Sequence, residues 1–396
     1  MKNWQKINAW LILWLALTGF VRAEKGHHVE GDRTIHTPVT HDNLSVFIIS
    51  GPDTLGKDVD YVTLAEGMEK KWVVVHETGN VNQLAVENVT KNRTVVILSG
   101  AVVKGGKQDR VLSQDLVLQP ESGKVPIASF CVEESRWANR GKESLYTFSA
   151  NSTQVSGKGL RKAVKGGLSQ GQVWKQVASE QMKISANVNA NVQLNASPSS
   201  YQLAVENKEL KKEIEAYKQE LSSIIEKYPD AVGYAVTING EFSTADVYAS
   251  RKLFRKTWGQ HLESAITEAV SLKNKAKKDQ KIDLSWRDEL FNEKSYEEKQ
   301  RQKTGGANDY LSEQNKKFFR YNCLLKGEKK VSLRWSFERR EEGESLEKRQ
   351  QGGELQQQQL NIQSHPIRQR SFQSFEGINV QRNNEPNPEP QSEQRE

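Results

Sequence analysis

Residues 99–120, SGAVVKGGKQDRVLSQDLVLQP, decide how the first half of this chain is read. Three glycines, two lysines, Gln108 and Arg110 are packed between two apolar runs. Two readings stand. In one, the stretch is a hairpin whose lysines face water. In the other, Gly105 and Gly106 let backbone N–H groups approach an anion, and Lys104, Lys107 and Arg110 surround it. Arginine adds a planar fork suited to phosphate or carboxylate. The stretch is not a P-loop, because the Walker spacing and its following Ser/Thr are missing.

The flanking sequence repeats the same apolar character. WVVVHE (72–77), LAVENV (84–89), TVVILSG (94–100), RVLSQDLVLQP (110–120) and VPIASFCVEE (125–134) are rich in valine and isoleucine. Gly, Asn and Pro turns separate them, the spacing of a sandwich or barrel-like sheet. NVTKNRT (88–94) reads as a hairpin loop. Upstream, LSVFIIS (44–50) reads as a buried strand. Residues 60–73 read as a helix, with Thr63 as N-cap and Glu66 completing a capping box.

Further along, residues 138–170 are rich in glycine, serine and basic residues, the composition of a long mobile surface loop. GQVWKQVASEQMKI (171–184) has helical spacing. A helix over 203–228 carries Leu210, Ile214, Tyr217, Leu221, Ile224 and Ile225 as one apolar stripe, a core or partner-helix contact rather than a site. AVGYAVTINGEF (231–242) predicts a strand and an Asn239-Gly240 turn, and residues 245–270 a helix. The charged, apolar-poor stretch 273–312 reads as an insertion. Residues 316–340 then form a hairpin around Gly327. The expected class is α+β: a β-rich, sandwich-like first half, then helices, a strand-turn-helix unit and a terminal β-hairpin, all in one domain over 44–340. Residues 341–396, rich in Glu, Gln, Asn and Pro, are expected to be disordered.

The chain opens with Lys2 and Lys6, the apolar run 7–20 and Val21-Arg22-Ala23. This reads as a secretory signal peptide, cut after Ala23; a run of about 14 residues falls short of the roughly 20 a spanning helix needs. The mature protein is then expected to be soluble and secreted or periplasmic, with no membrane span. Losing Lys2, Lys6 and Arg22 takes the net charge from +7 to 7 − 3 = +4. A balance that mild argues against nucleic acid as partner. Residues 24–43 form a polar leader holding His27, His28, His36 and His41. Metal binding is conceivable there, but scattered histidines on a flexible segment more often serve no structural purpose. Cys131 and Cys323 leave a disulfide open and exclude a zinc-finger type of site.

Residues 85–137, which hold the G-x-K-Q-x-R and C-V-E-x-x-R-W patterns, resemble the prokaryotic ARG and Rhodanese-Phosphatase-superfamily-associated Protein domain family. The matching positions are Gly105, Lys107, Gln108 and Arg110, then Cys131, Val132, Glu133, Arg136 and Trp137. Residues 233–258 are similar to the family's strand, turn and helix. The resemblance spans about 44–272, extending toward 340 with the hairpin. The family pattern carries Gly-Glu where this chain has Gly100-Ala101, and Asn where it has Asp109. The resemblance implies a fold and names no reaction. A prokaryotic host also argues against glycosylation at Asn43, Asn88, Asn92, Asn151 and Asn195, which each begin an N-x-S/T triplet.

The candidate ligand-binding residues are Gly105, Gly106, Lys107, Gln108, Arg110, Glu133, Arg136 and Trp137. Glu133 and Arg136 fit a structural ion pair as well, and Trp137 fits core or a stacking platform. If the strands beginning at Arg110 and ending at Glu133 pair as a hairpin, both motifs share one cleft, with net positive charge left over. Cys131 lacks a convincing histidine base, and His76 and His261 read as ordinary histidines. No Ser-His-Asp order, G-x-S-x-G, H-E-x-x-H or dinucleotide fingerprint is present. The expectation is therefore an exported binding or accessory protein for an anionic small molecule, phosphate- or ADP-ribose-like, with no cofactor and no metal. Two alternatives stay open: a hydrolase of such a substrate acting through Glu133, and a structural accessory domain.

Overall fold

The computed structural model describes residues 28–346, apart from 31, 56–59, 135, 137–143, 274–280 and 328–330. The expected signal peptide, His27 and Trp137 lie outside the described residues, as does the tail beyond 346. The elements begin with β1 (His28–Glu30), β2 (Arg33–Ile35), β3 (Val39–His41), β4 (Leu44–Ser50), β5 (Val62–Thr63) and α1 (Leu64–Glu69). There follow β6 (Val73–Glu77), β7 (Gln83–Asn88), β8 (Val95–Ile97), β9 (Ala101–Gly105), β10 (Arg110–Leu112), β11 (Leu116–Leu118), β12 (Lys124–Cys131) and β13 (Phe148–Val155). The helices α2 (Lys158–Lys165), α3 (Gln170–Val188), α4 (Tyr201–Val205) and α5 (Lys208–Leu221) come next. The chain closes with β14 (Ala231–Ile238), β15 (Glu241–Tyr248), α6 (Arg251–Ser271), α7 (Arg287–Leu290), β16 (Glu297–Lys303), β17 (Asn308–Gln314), β18 (Phe318–Leu325) and β19 (Val331–Arg339).

The class is α+β, with antiparallel sheets in the first half, helices after them and a C-terminal β-hairpin. One large sheet runs β1-β2-β4-β14-β15-β19-β18-β17-β16, with β3 also paired to β4. The small sheets run β13-β9-β10-β12-β7-β6 and β11-β8-β5. The two small sheets share a core of Val75, Val86, Ile97, Val103, Leu112, Leu116 and Ile127, all buried. Strand β12 alternates exposed and buried residues, so one face of its sheet meets water. Strands β4 and β14 are buried along their whole length, because α6 covers one face and Trp286, Leu290 and Phe291 cover the other. The stripe Leu210, Ile214, Tyr217, Leu221, Ile224 and Ile225 is buried in the main core.

Several segments differ from the sequence reading, each for a physical reason. The leader joins the large sheet: β2 and β3 pair with β4, His36 bonds Ser50 Oγ at 2.8 Å, and His41 packs edge-on to Tyr217. Residues 148–155 and 158–165 form β13 and α2 rather than loop, since neighbours supply the burial that composition alone does not. Residues 245–248 extend β15 instead of opening a helix. Asn239 and Gly240, both at positive φ, make the tight turn of a β14–β15 hairpin, and α6 starts only after the Ser250 cap. The stretch 273–312 supplies β16 and part of β17, whose partners lie in the following hairpin. Leu346, placed in the tail by composition, is buried against Tyr310, Phe319 and Tyr321. Thr63 caps α1 by accepting from Glu66 N at 3.2 Å, while the Glu66 carboxylate turns to Lys70 and Lys256.

Candidate functional site

The turn between β9 and β10 brings the two motifs together. Arg110 pairs with Val103 across the turn and with Cys131 on β12, so residues 105–110 sit beside the end of β12. The connection is not a simple hairpin, because β11 leaves to pair with β8 before the chain returns as β12. Gly105 and Gly106 both have positive φ, and a Cβ on Gly106 would lie 2.7 Å from the Phe148 ring. Only glycine fits that corner. Beyond β12, Gln170 bonds both the N–H and the carbonyl of Cys131, and Tyr201 N donates to Val132 O, so α3 and α4 fix the strand end.

The charges there form a clasp. Arg136 Nε donates to Glu133 Oε2 at 2.6 Å, and Arg136 also reaches Asp109 Oδ1 and Gly106 O. Arg110 donates to Gln108 O at 3.1 Å and lies 3.5 Å from Glu77 Oε2. The loop N–H groups of Gly105, Lys107 and Asp109 point at Asp109, Glu77 and Glu133 respectively. The chain's own carboxylates thus occupy positions an outside anion would take. Lys104 pairs with Glu206 at 2.5 Å. Four cations (Lys104, Lys107, Arg110, Arg136) meet four acids (Glu77, Asp109, Glu133, Glu206), a balance of 4 − 4 = 0. Among the described residues the expected surplus of positive charge does not appear, because Glu77 and Glu206 arrive from distant parts of the chain.

Among the described residues, buried polar atoms of the clasp have no hydrogen-bond partner: Gln108 Nε2, Arg110 Nε and Glu77 Oε1. Lys107 has no carboxylate partner among the described residues. Burial pushes the Cys131 thiol up to about 11, so it is protonated at neutral pH and no nucleophile. His76 bonds Glu87 at 3.0 Å. His261 lies between the Tyr234 and Tyr248 hydroxyls, and burial lowers its pKa to about 3, leaving it neutral. Both cysteines are free thiols. Among the described residues no cluster of His, Cys, Asp and Glu could hold a metal, and no helix is long and apolar enough to cross a membrane.

A family model, the ARG and Rhodanese-Phosphatase-superfamily-associated Protein domain, matches residues 32–333. The chain belongs to this family. No curated protein and no solved structure matches it. The match runs from the edge of β2 into β19, so the family domain takes in the leader strands, both motifs of the clasp and most of the terminal hairpin.

The fold holds two further polar features that the sequence reading missed. The first is a charged bridge between the sheets. Arg334 on β19 donates to Asp246 Oδ1 at 2.6 and 3.0 Å and to Asp115 Oδ1 at 2.7 Å, while Asp115 also accepts from Ser99 N. Lys165 Nζ lies 3.0 Å from Glu338 Oε1, and Arg161 joins the same carboxylate at 3.5 Å. A Cβ at Gly100 would lie 2.8 Å from the Arg161 side chain, which is why a glycine follows Ser99. The second feature is a cavity of about 360 Å³ beside the start of α2, lined in part by Glu180 and Glu268. Its one signal in the sequence was Ser156-Gly157-Lys158-Gly159, inside the stretch read as a loop.

Proposed function

We propose that this chain is an exported, soluble binding or accessory protein that holds a small anionic ligand of the phosphate or ADP-ribose kind at the clasp. The observation that carries the reading is the trio of buried, unpartnered polar atoms on Gln108, Arg110 and Glu77. Each such atom costs about 1–3 kcal/mol when left unmet. The trio contains two donors and one acceptor, so a ligand that accepts twice and donates once completes it. A phosphorylated sugar has that character and bare phosphate has it less well. Lys107, lacking an acid partner, supplies the charge. Export rests on the pattern of residues 1–23.

Binding is favoured over hydrolysis because Glu133 is fully buried and already engaged by Arg136 and by Asp109 N. A carboxylate so held is not free to activate water. The test is calorimetric titration of the mature chain with ADP-ribose and with inorganic phosphate, beside Lys107→Glu. The reading expects ADP-ribose to bind more tightly than phosphate, and Lys107→Glu to lose about tenfold in affinity, or 1.4 kcal/mol. If neither ligand binds the wild type, the clasp is a structural lock and the accessory-domain reading replaces this one. N-terminal sequencing of the exported product should begin at Glu24; an intact Met1 overturns export.

A further inference from the structure

The cavity beside α2 is lined by none of the clasp residues. Its floor is the start of α2, its walls are the middle of α3 and the last turns of α6, and the β14–β15 turn closes one side. Two glycines open it. A Cβ at Gly159 would fall 2.2 Å from Gln176 Nε2 and 2.9 Å from Glu180 Oε1, and one at Gly157 would fall 3.2 Å from Glu180 Oε2. Any side chain at 159 would push Glu180 and Gln176 out of place. The volume falls in the range of small-molecule sites, roughly 300–1,000 Å³.

The walls state what would fit. On the polar side, Glu180 Oε1 accepts from Leu160 N at 3.1 Å and from Gln176 Nε2 at 3.0 Å, leaving Oε2 toward the opening. Glu268 is ion-paired with Lys158 at 3.3 Å and accepts from Ser243 Oγ at 2.7 Å. Arg339 is paired with Glu241. On the other side stand Ile184, Ile238, Phe242 and Leu272. Lys158 and Arg339 are paired with acids, and the lining as a whole sets Lys158, Lys183 and Arg339 against Glu180, Glu241, Glu268 and Glu341, 3 − 4 = −1, or 0 when Glu180 is neutral, so it gives no strong field for an ion. Alternating donors and acceptors opposite an apolar face suit a ring that carries hydroxyls on its edge and C–H groups on its faces.

We propose that this cavity is a binding site, separate from the clasp, for an uncharged polyhydroxylated ring of monosaccharide or disaccharide size. Glu180 makes the site sensitive to protons. Burial is the main cause that lifts its carboxyl to about 7, and the nearby Glu268 adds to it, while Gln176, Leu160 N and Lys183 oppose. Tyr201 faces the same carboxyl from α4 and Lys158 stands beside it on α2. A ligand in the cavity excludes more water from Glu180 and favours its neutral form further, so the ligand binds better where that form is populated.

The experiment titrates the full mature chain with glucose, N-acetylglucosamine and maltose by calorimetry and saturation-transfer NMR, at about pH 6 and about pH 8. At least one sugar should bind, several-fold more tightly at the lower pH. Glu180→Gln keeps the shape and a donor, so it should bind with the pH dependence gone. Gly159→Ala, checked for native circular dichroism, should lose binding, whereas Lys107→Glu should bind sugar as the wild type does. The proposal is overturned if no sugar binds, if the pH dependence survives Glu180→Gln, or if inorganic phosphate or spermidine binds the cavity in place of sugar. Loss of sugar binding in Lys107→Glu would place the sugar at the clasp and overturn it as well.

Discussion

The clasp and the bridge between the sheets both bury charges in equal numbers, yet they are assembled from opposite kinds of contact. The clasp gathers around two short segments, 105–110 and 133–136, in which Arg136 meets Glu133 three positions away, while Glu77 joins Arg110 across 33 positions. The bridge is long-range: Arg334 reaches Asp246 across 88 positions and Asp115 across 219. Among the described residues, the clasp leaves Gln108, Arg110 and Glu77 with unmet polar atoms, whereas at the centre of the bridge Arg334 uses all three of its guanidinium nitrogens and only its far end, Arg161 Nε and Glu338 Oε2, is left unmet. The difference teaches what each cluster is built for. Charge that ties distant segments together is stabilising only if its pairing is complete. Charge at a loop end, with hydrogen-bond capacity to spare, is suited to meet something else.

Four substitutions test that contrast. Arg334→Leu should do most harm, because it strands Asp246 and Asp115 in the interior; urea melts should show a loss of about 3–5 kcal/mol. A loss under about 1 kcal/mol would erase the contrast between bridge and clasp. Next comes Glu180→Gln, which belongs to neither cluster and gauges an unpaired buried acid. The ordinary Glu value of 4.5 is raised to about 7 in the fold, so the protonated form is preferred. The stability this group permits is full below about 4.5 and is lost as pH rises through about 7. Glu180→Gln should therefore gain up to about 3 kcal/mol at pH 8 and under about 1 kcal/mol at pH 5, by melting at both. A gain of the same size at both pH values would show that the acid is not desolvated.

Arg110→Ala should cost about 1–3 kcal/mol, less than Arg334→Leu, since its contact to Glu77 is long at 3.5 Å. A cost equal to that of Arg334→Leu would make the clasp a second bridge. Lys107→Glu should change stability by less than about 0.5 kcal/mol while acting on ligand affinity. Cooperative unfolding of Lys107→Glu would assign the loop to structure alone.

The same division governs what could be read from sequence. The β-rich first half, the helical stripe from Leu210 to Ile225 and the meeting of Arg110 with Cys131 all follow from local periodicity and turn chemistry. The sheet membership of residues 28–41 and 297–303 was hidden, because these strands are short or charged and carry little apolar alternation. Residues 158–165 look like loop for the same reason: α2 has three lysines and an arginine in eight positions, and only Glu338, Glu344 and Glu268 make their burial tolerable. In the site, the glycines, the cations and Glu133 were visible, and the acids Glu77 and Glu206 were not. Glu77 and Glu206 carry no motif, and the charge balance depends on where they land.

The large sheet has a seam at β19. Strands β4, β14 and β15 lie on one side of it and β18, β17 and β16 on the other, yet β19 is the last strand made. A nascent chain therefore holds two half-sheets with an open edge each, and Arg334, the residue that welds them to the small sheets, arrives within the final strand. Closure of the large sheet waits on β19, and late closure through distant pairings is slow.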